Sequence, residues 1–551
     1  MTLTVFPLML AAATVATHLT DRWVYVSSRF EDDSQFESLS NVVTTASRGG
    51  LNGVLLACGI DNSMLWTDDR RARLARAKTL CDRLNLEIIP LVWSVGYGSP
   101  LHYDPSFAEG IPVKDIRYVA QGGKAVFDGN GSNRLANAGF ETASAGRQPA
   151  ANWRCDRPGD ISFRDTETVH SGGASVRFEP KKDTAHKYAQ ARMTQDVAVR
   201  PCAMYRLSFW LKTEDFDDSR KAFVWQIKVP GKRNTHATGN RGRNAPQRED
   251  WRQHQLVFVS GETNSITVLI GSTGQGGGRF WIDDVRLEEI GHRQVVRRPG
   301  CPMCVRSLAT DRVYVEGKDY LPFSTSTNVS PRDLVLTLPS GSAILDGEAL
   351  AVSAFSPARP WGNQTVCCMS NPGLYEYFKV SADAVNAALH PKKWLLSMDE
   401  IRAGGTCGLC RARKTDMAHI LGDCVTRQRD IIRALVPDAV VYVWHDMFDP
   451  AFNAHDDYFL ARGTFDRSWA CCPRDVVIAV WGGEKKVASL AAMAERGFSV
   501  LAATYYDADD LDGCKAWYES AKALPNCRGI MYTTWKNRYG LLPGFCDLIR
   551  E

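Results

Sequence analysis

The chain has 551 residues, of which 44% are hydrophobic and 23% are charged, and its formal net charge is +4. These proportions are typical of a soluble globular protein, and the length predicts two to four folded units. A charge this close to neutral over such a length excludes a broad basic surface for nucleic acid or acidic lipid. We therefore expect neither a nucleic-acid partner nor a membrane-surface partner.

The N-terminal segment is apolar: residues 1–16 end in an alanine-rich stretch, and the first lysine or arginine is Arg22. A short apolar run followed by small residues is typical of a secretory signal, and this one is too short to span a bilayer comfortably. We therefore predict a signal peptide over residues 1–16, a secreted or periplasmic protein, and no membrane span.

The 16 cysteines are many for a cytosolic protein and agree with export. Two Cys-x-x-Cys units occur, at Cys301/Cys304 and at Cys407/Cys410. A zinc site needs four ligands brought together, and no matching histidine spacing accompanies either unit. Disulfides or buried thiols are therefore expected ahead of metal ligands.

Strand-like apolar runs alternate with helical patterns in two parts of the chain. Three runs come before residue 93 and five come after residue 390, with helical stretches such as 70–84 and 414–435 between them. Without the intervening residues the chain is about 290 residues long, near the usual size of a (β/α)8 barrel. The sequence therefore predicts an α/β TIM barrel with strands at 23–27, 53–57, 86–92, 394–398, 439–444, 476–481, 498–503 and 529–533.

The residues between the third and fourth predicted strands have a different sequence pattern. Short alternating strands and turns rich in Gly, Asn and Asp are typical of a β-sandwich, and a second β-rich stretch follows it. An inserted segment this long must fold into domains of its own. We predict a barrel from residues 17–115 and 358–551, an all-β jelly roll at 130–292 and a small β-rich segment at 293–357.

The fourth predicted strand ends in two adjacent carboxylates, Asp399 and Glu400. Barrel enzymes keep their chemistry where the strands end, at the C-terminal mouth. Neighbouring strand residues point to opposite sides, so the two acids are suited to different tasks around one substrate. Asp399 and Glu400 are therefore the primary catalytic candidates.

Six of the predicted strands end in polar or aromatic motifs. In chain order these are 22–29 ending in Arg29, Met398-Asp399-Glu400, Trp444-His-Asp-Met-Phe-Asp449, Trp481, Tyr505-Tyr-Asp507 and Trp535-Lys-Asn537. Together they make residues 20–100 and 360–551 resemble the family 20 glycoside hydrolases, the β-N-acetylhexosaminidases. The chain departs from that family at Tyr97, which takes a histidine position, and at Asn537, which replaces a sugar-binding glutamate.

The resemblance implies hydrolysis of β-linked N-acetylglucosamine or N-acetylgalactosamine, with the acetamido oxygen of the sugar as nucleophile. Glu400 would donate the proton to the glycosidic oxygen, Asp399 would orient the acetamido group, and Tyr505 would donate to its oxygen. No cofactor and no metal in the barrel are required. Substrate contacts are implied for Arg29, Tyr97, Trp444, Asp446, Trp481, Asp507, Trp535 and Asn537, of which the three tryptophans would wall a pocket for the acetyl methyl.

The predicted sandwich resembles carbohydrate-binding jelly rolls of the family 4/9 type, through Asn137-Ala-Gly-Phe-Glu141, Trp153, residues 208–213 and Ile282-Asp-Asp-Val285. Such modules often hold a structural calcium on oxygen ligands, and the resemblance implies Glu141 and Asp284 as ligands. A glycan or glycoconjugate is the expected partner of the protein. The sandwich either binds it or shapes the rim of the active site.

Two other functions stay open at this point. Tyr97 and Asn537 are also compatible with a non-catalytic carbohydrate-binding protein, and Glu400 with Asp446 would suit a conventional two-carboxylate glycosidase. The cluster of His445, Asp446, Asp449, His455, Asp456 and Asp457 has the residue types of a divalent-metal site. Solvated loop charges are expected there instead, with Asp446 lining the active site. The sugar epimer, the linkage, exo or endo action and the oligomeric state are not predicted.

Overall fold

A computed structural model describes residues 19–129, 131–181, 190–216, 223–242, 245–272, 277–362, 364–482 and 485–550. The predicted signal peptide at 1–16 lies outside the described residues. Eight parallel strands close into a barrel. We number them β1 (Asp21–Ser27), β2 (Gly53–Ala57), β3 (Glu87–Val92), β4 (Lys393–Leu396), β5 (Val440–Trp444), β6 (Val477–Trp481), β7 (Ser499–Ala503) and β8 (Cys527–Tyr532).

The barrel closes in chain order, because each strand pairs in parallel with the next and β8 pairs back with β1. The prediction of a TIM barrel interrupted after its third strand is confirmed. All eight strands overlap the runs expected from the sequence. Strands buried on both faces are apolar almost throughout, which is why the apolar runs marked them.

Helices fill the connections between the strands, and Asp32 and Thr67 cap the first two by accepting backbone N–H groups of the first turn. The helices are α1 (Asp33–Arg48), α2 (Asp68–Arg83), α3 (Pro372–Leu389), α4 (Gly408–Ala412), α5 (Met417–Leu435), α6 (Ser468–Cys471), α7 (Lys486–Glu495), α8 (Asp512–Lys522) and α9 (Leu542–Leu548). Short 3-10 helices lie at Ile60–Leu65, Ser99–His102, Pro105–Phe107 and Asp446–Phe448. Within the described residues, no helix is both long and apolar enough to cross a membrane.

Between β3 and β4 the chain forms three antiparallel sheets. The first is ordered Glu249–Val259, Met204–Glu214, Arg279–Glu289, Ser175–Phe178, Ser162–Asp165, and the second Thr235–Asn240, Phe223–Lys228, Ser265–Ser272, Ala191–Ala198, Arg154–Cys155. The third is ordered Val313–Tyr314, Cys304–Ser307, Ala349–Pro357, Gly110–Gln121, Lys124–Phe127, Leu336–Thr337. A further pair of short strands, Ala403–Gly404 and Leu460–Ala461, joins the loops that follow β4 and β5.

The boundary predicted at residue 115 falls inside a strand of the third sheet. Gly110–Gln121 pairs with Ala349–Pro357 along most of its length. The chain therefore leaves the barrel before residue 110 and starts the third sheet, makes the sandwich, and then returns to complete that sheet. Alternation along each strand does not reveal this pairing, because the two strands are far apart in the sequence.

The interior of the barrel and its outer layer are separate cores. Trp23 and Tyr25 of β1 point into the barrel, where they join Leu55 and other inward residues. Val24 and Val26 face outward against the helices. This follows from the two-residue period of a strand, in which neighbouring side chains take opposite faces.

The N-terminal end of the barrel holds a buried charge network. Lys393 Nζ lies 2.9 Å from carboxylate oxygens of both Asp21 and Glu87, and the Tyr442 hydroxyl donates to Asp21. Polar groups at this end of a TIM barrel serve stability, whereas chemistry takes place at the opposite end. The functional site is therefore sought where the strands end.

Candidate active site

Asp399 and Glu400 lie just beyond β4, at the C-terminal mouth of the barrel. Glu400 has a left-handed backbone with φ of 48°, a conformation that costs a non-glycine residue roughly 1–3 kcal/mol and that clusters at functional sites. Gly96, after β3, packs so closely that a Cβ there would lie 2.2 Å from the Asp399 carbonyl oxygen. The loops after β3 and β4 thus hold the acids as one unit.

Both oxygens of the Glu400 carboxylate have partners. Arg402 Nη2 lies 2.7 Å from Oε1, and the Tyr97 hydroxyl donates to Oε2. Burial and the nearby Glu400 carboxylate raise the pKa of Tyr97, so its hydroxyl stays protonated and acts as a donor. Tyr97 therefore belongs to this site, where its hydroxyl contacts Glu400, the expected proton donor.

Arg402 is a residue of this site that the sequence analysis missed. Its guanidinium also donates to Gln364 and lies 5.2 Å from the ring centroid of Phe459. Gln364 in turn donates to the carbonyl oxygens of Gly96 and Glu400. The position of Arg402 two residues after Glu400 was visible in the sequence, but nothing in that spacing showed the direction of its side chain.

Asp399 is partly exposed beside Glu400, and the Ser397 hydroxyl donates to it at 2.9 Å. Burial, followed by the negative charge of Glu400, raises the pKa of Asp399 to about 6. In mildly acidic solution Asp399 therefore keeps a proton that an exposed aspartate would have lost.

Asp446 is fully buried next to this pair. Its Oδ2 accepts from the Glu400 N–H at 2.9 Å and from Asn453 Nδ2 at 2.7 Å. Burial, followed by the charges of the neighbouring acids, raises the pKa of Asp446 to about 8, so this carboxyl is neutral at pH 7. The expectation of solvated loop charges is wrong for His445 and Asp449, because the chain after β5 turns these side chains inward.

Three tryptophans meet at the ends of β5, β6 and β8. The ring centroid of Trp535 lies 6.1 Å from those of both Trp444 and Trp481, with interplanar angles of 61° and 77°. Tyr506 completes the group, with its ring 6.2 Å from Trp481 and 6.1 Å from Trp535. We call Trp444, Trp481, Trp535 and Tyr506 the aromatic box. Trp535 and Tyr506 are 41% and 43% exposed, so the box opens to solvent.

Tyr25 connects the aromatic box to the acids. It lies at the inner face of β1, with its ring centroid 5.2 Å from that of Trp535. A second link runs through Trp481, whose indole N–H lies 3.4 Å from Oδ1 of Asp446, the residue that accepts the Glu400 N–H. The box and the carboxylates therefore border the same space.

Tyr505 does not face this space, which corrects the role implied for it. Its ring stacks on Tyr532 at 4.3 Å, its hydroxyl donates to the Ala508 carbonyl oxygen, and its side chain is buried. Tyr506 takes the exposed side instead, and burial and the charge of Glu400 raise its pKa. Neighbouring residues face opposite ways here, and the sequence could not decide which of the two tyrosines faces the site.

Asp507 and Asn537 lie on the rim, where their contacts are with the protein. Asp507 accepts from the Thr534 hydroxyl and from the Trp535 N–H at 2.9 Å, so it holds the loop that carries Trp535. Asn537 is exposed, and its Oδ1 accepts from Tyr539 at 3.2 Å. Asp507 therefore positions the aromatic box. The resemblance had implied that Asp507 contacts the sugar instead.

Arg29 lies away from the acids. Its side chain is 80% exposed, and its partner is Glu31 at 3.8 Å. The cause is local: the chain turns outward after β1, where the Gln35 side chain accepts the N–H groups of Arg29 and Glu31 at the start of α1. The contact with sugar hydroxyls implied for Arg29 is not supported by this placement.

A cleft of about 1480 Å³ lies between the barrel mouth and the insert. Tyr97 and Arg402 line it at the barrel mouth, and Trp225, Asn240 and Gln255 line it on the sandwich. A site for one sugar needs far less space, since pockets for drug-sized ligands measure about 300–1,000 Å³. The sandwich therefore forms a wall of the cleft that leads to Glu400.

The two calcium ligands implied for the sandwich make hydrogen bonds within it. Glu141 accepts from the Gly173 N–H at 2.9 Å, and Asp284 accepts from the Ser171 hydroxyl and contacts His170 Nδ1 at 2.6 Å. Calcium takes six to eight oxygen ligands, and these contacts supply no such set. The calcium site stays a prediction.

No family model matches the chain, and no curated protein matches it. Solved structures similar to part of it include TmCBM61 in complex with β-1,4-galactotriose, at 19% identity over 29% of this chain and 99% of that one, with a TM-score of 0.22. A CBM4 structure has 14% identity over 28% and 98% of the two chains and a TM-score of 0.21. The CBM22-1 xylan-binding domain of Paenibacillus barcinonensis Xyn10C has 13% identity over 30% and 97%, also with a TM-score of 0.21. Similarity at this level carries no assignment of function, so what this chain does must be judged from its barrel site.

Proposed function

We propose that the protein is a glycoside hydrolase that releases β-linked N-acetylhexosamine with retention of configuration, using the acetamido oxygen of the substrate as nucleophile. The observation that carries this proposal is the position of Asp399 and Glu400 at the barrel mouth beside the aromatic box. Such a reaction needs one proton donor, one group that orients the acetamide, and a dry pocket for its methyl group.

Glu400 is the proton donor in this proposal. The glycosidic oxygen takes the place of the Tyr97 hydroxyl at Oε2 and receives the proton as the bond to C1 breaks. The acetamido oxygen closes on C1 to give an oxazolinium ion. The Glu400 carboxylate then takes a proton from the water that attacks C1 and reopens the ring.

Asp399 accepts the acetamido N–H and offsets the positive charge of the oxazolinium ion. The aromatic box encloses the acetyl methyl, and its exposed member Tyr506 supplies the donor to the acetamido oxygen that the resemblance had implied for Tyr505. The reaction needs a proton on Glu400 while Asp399 is ionised. Activity should therefore fall as the pH drops through the raised pKa of Asp399, which is about 6.

Hydrolysis of aryl glycosides by the purified full chain tests the proposal. The expected result is release from β-N-acetylglucosaminide or β-N-acetylgalactosaminide, with inhibition by a thiazoline mimic of the oxazolinium ion, and little release from the matched β-glucoside. Binding of the N-acetylated sugars without hydrolysis of any substrate would instead support a non-catalytic carbohydrate-binding protein.

A second candidate is a conventional two-carboxylate glycosidase using Glu400 and Asp446. Two observations favour it: Arg402 favours the ionised form of Glu400, and the pKa of Asp446 is raised to about 8, as for a general acid. Against it, Asp446 is fully buried and its Oδ2 is held by Glu400 and Asn453. Equal hydrolysis of the β-glucoside and the N-acetylated sugar would select this candidate.

A further inference from the structure

Four cysteines and one glutamate form a buried cluster where the loop after β4 meets the insert. Cys368 Sγ lies 3.5 Å from Cys407 Sγ and 3.6 Å from Cys410 Sγ, and Glu109 Oε2 lies 3.6 Å from Cys410 Sγ. The side chain of Cys301, which is also buried, lies beside that of Cys407. All five side chains are at most 3% exposed.

The sulfur spacing is that of metal ligands. Zn–S bonds of about 2.3 Å in a tetrahedron put neighbouring sulfurs about 3.8 Å apart, whereas a disulfide brings them to about 2.05 Å. The sulfurs of Cys368, Cys407 and Cys410 and a carboxylate oxygen of Glu109 all lie within 4.8 Å of one another. All sixteen cysteines of the chain are described, and none is disulfide-bonded.

The backbone holds the cluster in place before any metal binds. Cys407 and Cys410 flank the first residues of α4, a Cys-x-x-Cys unit at a helix start. The Gly408 N–H donates to the Gly300 carbonyl oxygen at 2.8 Å, and a Cβ on Gly408 would lie 2.8 Å from that same oxygen. Only glycine permits this approach, which brings Cys301 to Cys407.

The charges around the cluster suit thiolates. Arg298 interacts electrostatically with Cys301, Cys368 and Cys407, and a guanidinium there offsets part of the excess negative charge of four thiolates on a divalent ion.

Glu109 has a different task from the sulfurs. Its Oε1 accepts from the N–H groups of Thr406 and Cys407 at 2.9 and 3.0 Å and from the Thr406 hydroxyl at 2.7 Å. These three donors fix the backbone that carries Cys407. Hydrogen bonds of this kind orient metal ligands and are commonly built into metal sites.

We propose that Cys301, Cys368, Cys407 and Cys410 bind one zinc ion tetrahedrally, as a closed structural site that fastens the loop after β4 to the inserted domains. Binding releases the thiol protons to solvent and involves no change of oxidation state. The loop so fastened also carries Glu400 and Arg402. The site is independent of the proposed hydrolysis, because a zinc with four protein ligands has no open position for chemistry.

Metal analysis of the full chain, purified without chelator, tests this proposal. We expect about one zinc ion per chain, and its replacement by cobalt should give the intense visible bands of tetrahedral Co²⁺ with thiolate charge-transfer bands in the near ultraviolet. A zinc-free protein with a disulfide among the four cysteines, identified by peptide mass spectrometry, would overturn it. The cobalt spectrum of the unmutated chain decides the matter even where cysteine variants fail to fold.

Variants distinguish the ligands from their neighbours. Cys407→Ser and Cys410→Ser should lose the zinc and melt several degrees lower. Cys304→Ser should keep it, because Cys304 is partly exposed, whereas the four proposed ligands are buried. Glu109→Gln should retain zinc with an unchanged cobalt spectrum. Full zinc content in Cys407→Ser, or loss of zinc in Cys304→Ser, contradicts the assignment.

Discussion

Arg402 Nη2 lies 2.7 Å from Glu400 Oε1, and the side chains of Arg402 and Glu400 are 13% and 22% exposed. The same guanidinium lowers the pKa of Asp399, against the burial and the Glu400 charge that raise it. Arg402 therefore holds Glu400 by an ion pair and limits the rise in the pKa of Asp399.

Arg402→Gln should move the acidic limb of the activity profile upward. The wild-type limb is expected near pH 6, because activity needs Asp399 ionised and the pKa of Asp399 is raised to about 6. The positive charge of Arg402 lowers the pKa of Asp399, so its removal raises that pKa further. The measurement is kcat/KM against pH, with Arg402→Lys as the variant that keeps the charge. A limb that stays in place or moves downward in Arg402→Gln would show that this ion pair does not set the proton affinity of the acids.

Tyr97→Phe should lower KM while kcat stays near its wild-type value. Substrate has to displace the Tyr97 hydroxyl from Glu400, and a hydrogen bond to a charged group contributes about 1.5–3 kcal/mol, which corresponds to roughly tenfold or more in binding. Steady-state kinetics measure both constants, and Tyr103→Phe in the same loop is the control. A large fall in kcat would instead make the hydroxyl part of the proton transfer.

Tyr506→Phe and Tyr505→Phe should have opposite effects. Loss of the Tyr506 hydroxyl removes the donor to the acetamido oxygen, and removal of one such donor costs about 100-fold in kcat. Loss of the Tyr505 hydroxyl removes its bond to the Ala508 carbonyl and its interaction with Tyr532, so that variant should melt lower with nearly normal activity. Paired measurements of kcat and Tm decide between the two, and the reverse pattern would return the catalytic role to Tyr505.

Asp446→Asn should leave the activity at pH 7 within about threefold of wild type. The carboxyl is neutral there because its pKa is raised to about 8, and asparagine keeps an acceptor for the Glu400 N–H. A folded variant with a loss of 100-fold or more would support the second candidate, in which Asp446 donates the proton. Circular dichroism and Tm confirm that the variant is folded.

The sequence predicted the barrel and the central acids because both follow from regular patterns. Strands buried on both faces are apolar runs, and the ends of parallel strands meet at one mouth, so Asp399 and the three tryptophans were expected to lie together. The structure brings them together. The boundary at residue 110 was not predicted, because it depends on the pairing of Gly110–Gln121 with Ala349–Pro357.

The details of the site that were missed depend on the direction of loops. Arg402, Tyr506 and Arg29 lie after strand ends, where the period of two no longer fixes which way a side chain points. The cysteine cluster was missed for a related reason: Cys301, Cys368 and Cys407 come from three separate segments, and only one Cys-x-x-Cys unit contributes both of its members. Motif spacing finds a metal site when its ligands are close in sequence, and these are not.

The rate at which Glu400→Gln hydrolyses an aryl β-N-acetylhexosaminide tests the central claim most directly. Glutamine keeps the size of the side chain but cannot donate the proton, and Glu376→Gln on the exposed face of α3 is the matched control. The account predicts a loss of about 1,000-fold or more in kcat/KM for Glu400→Gln, with the control unchanged. Activity of a folded Glu400→Gln variant within tenfold of wild type would contradict it.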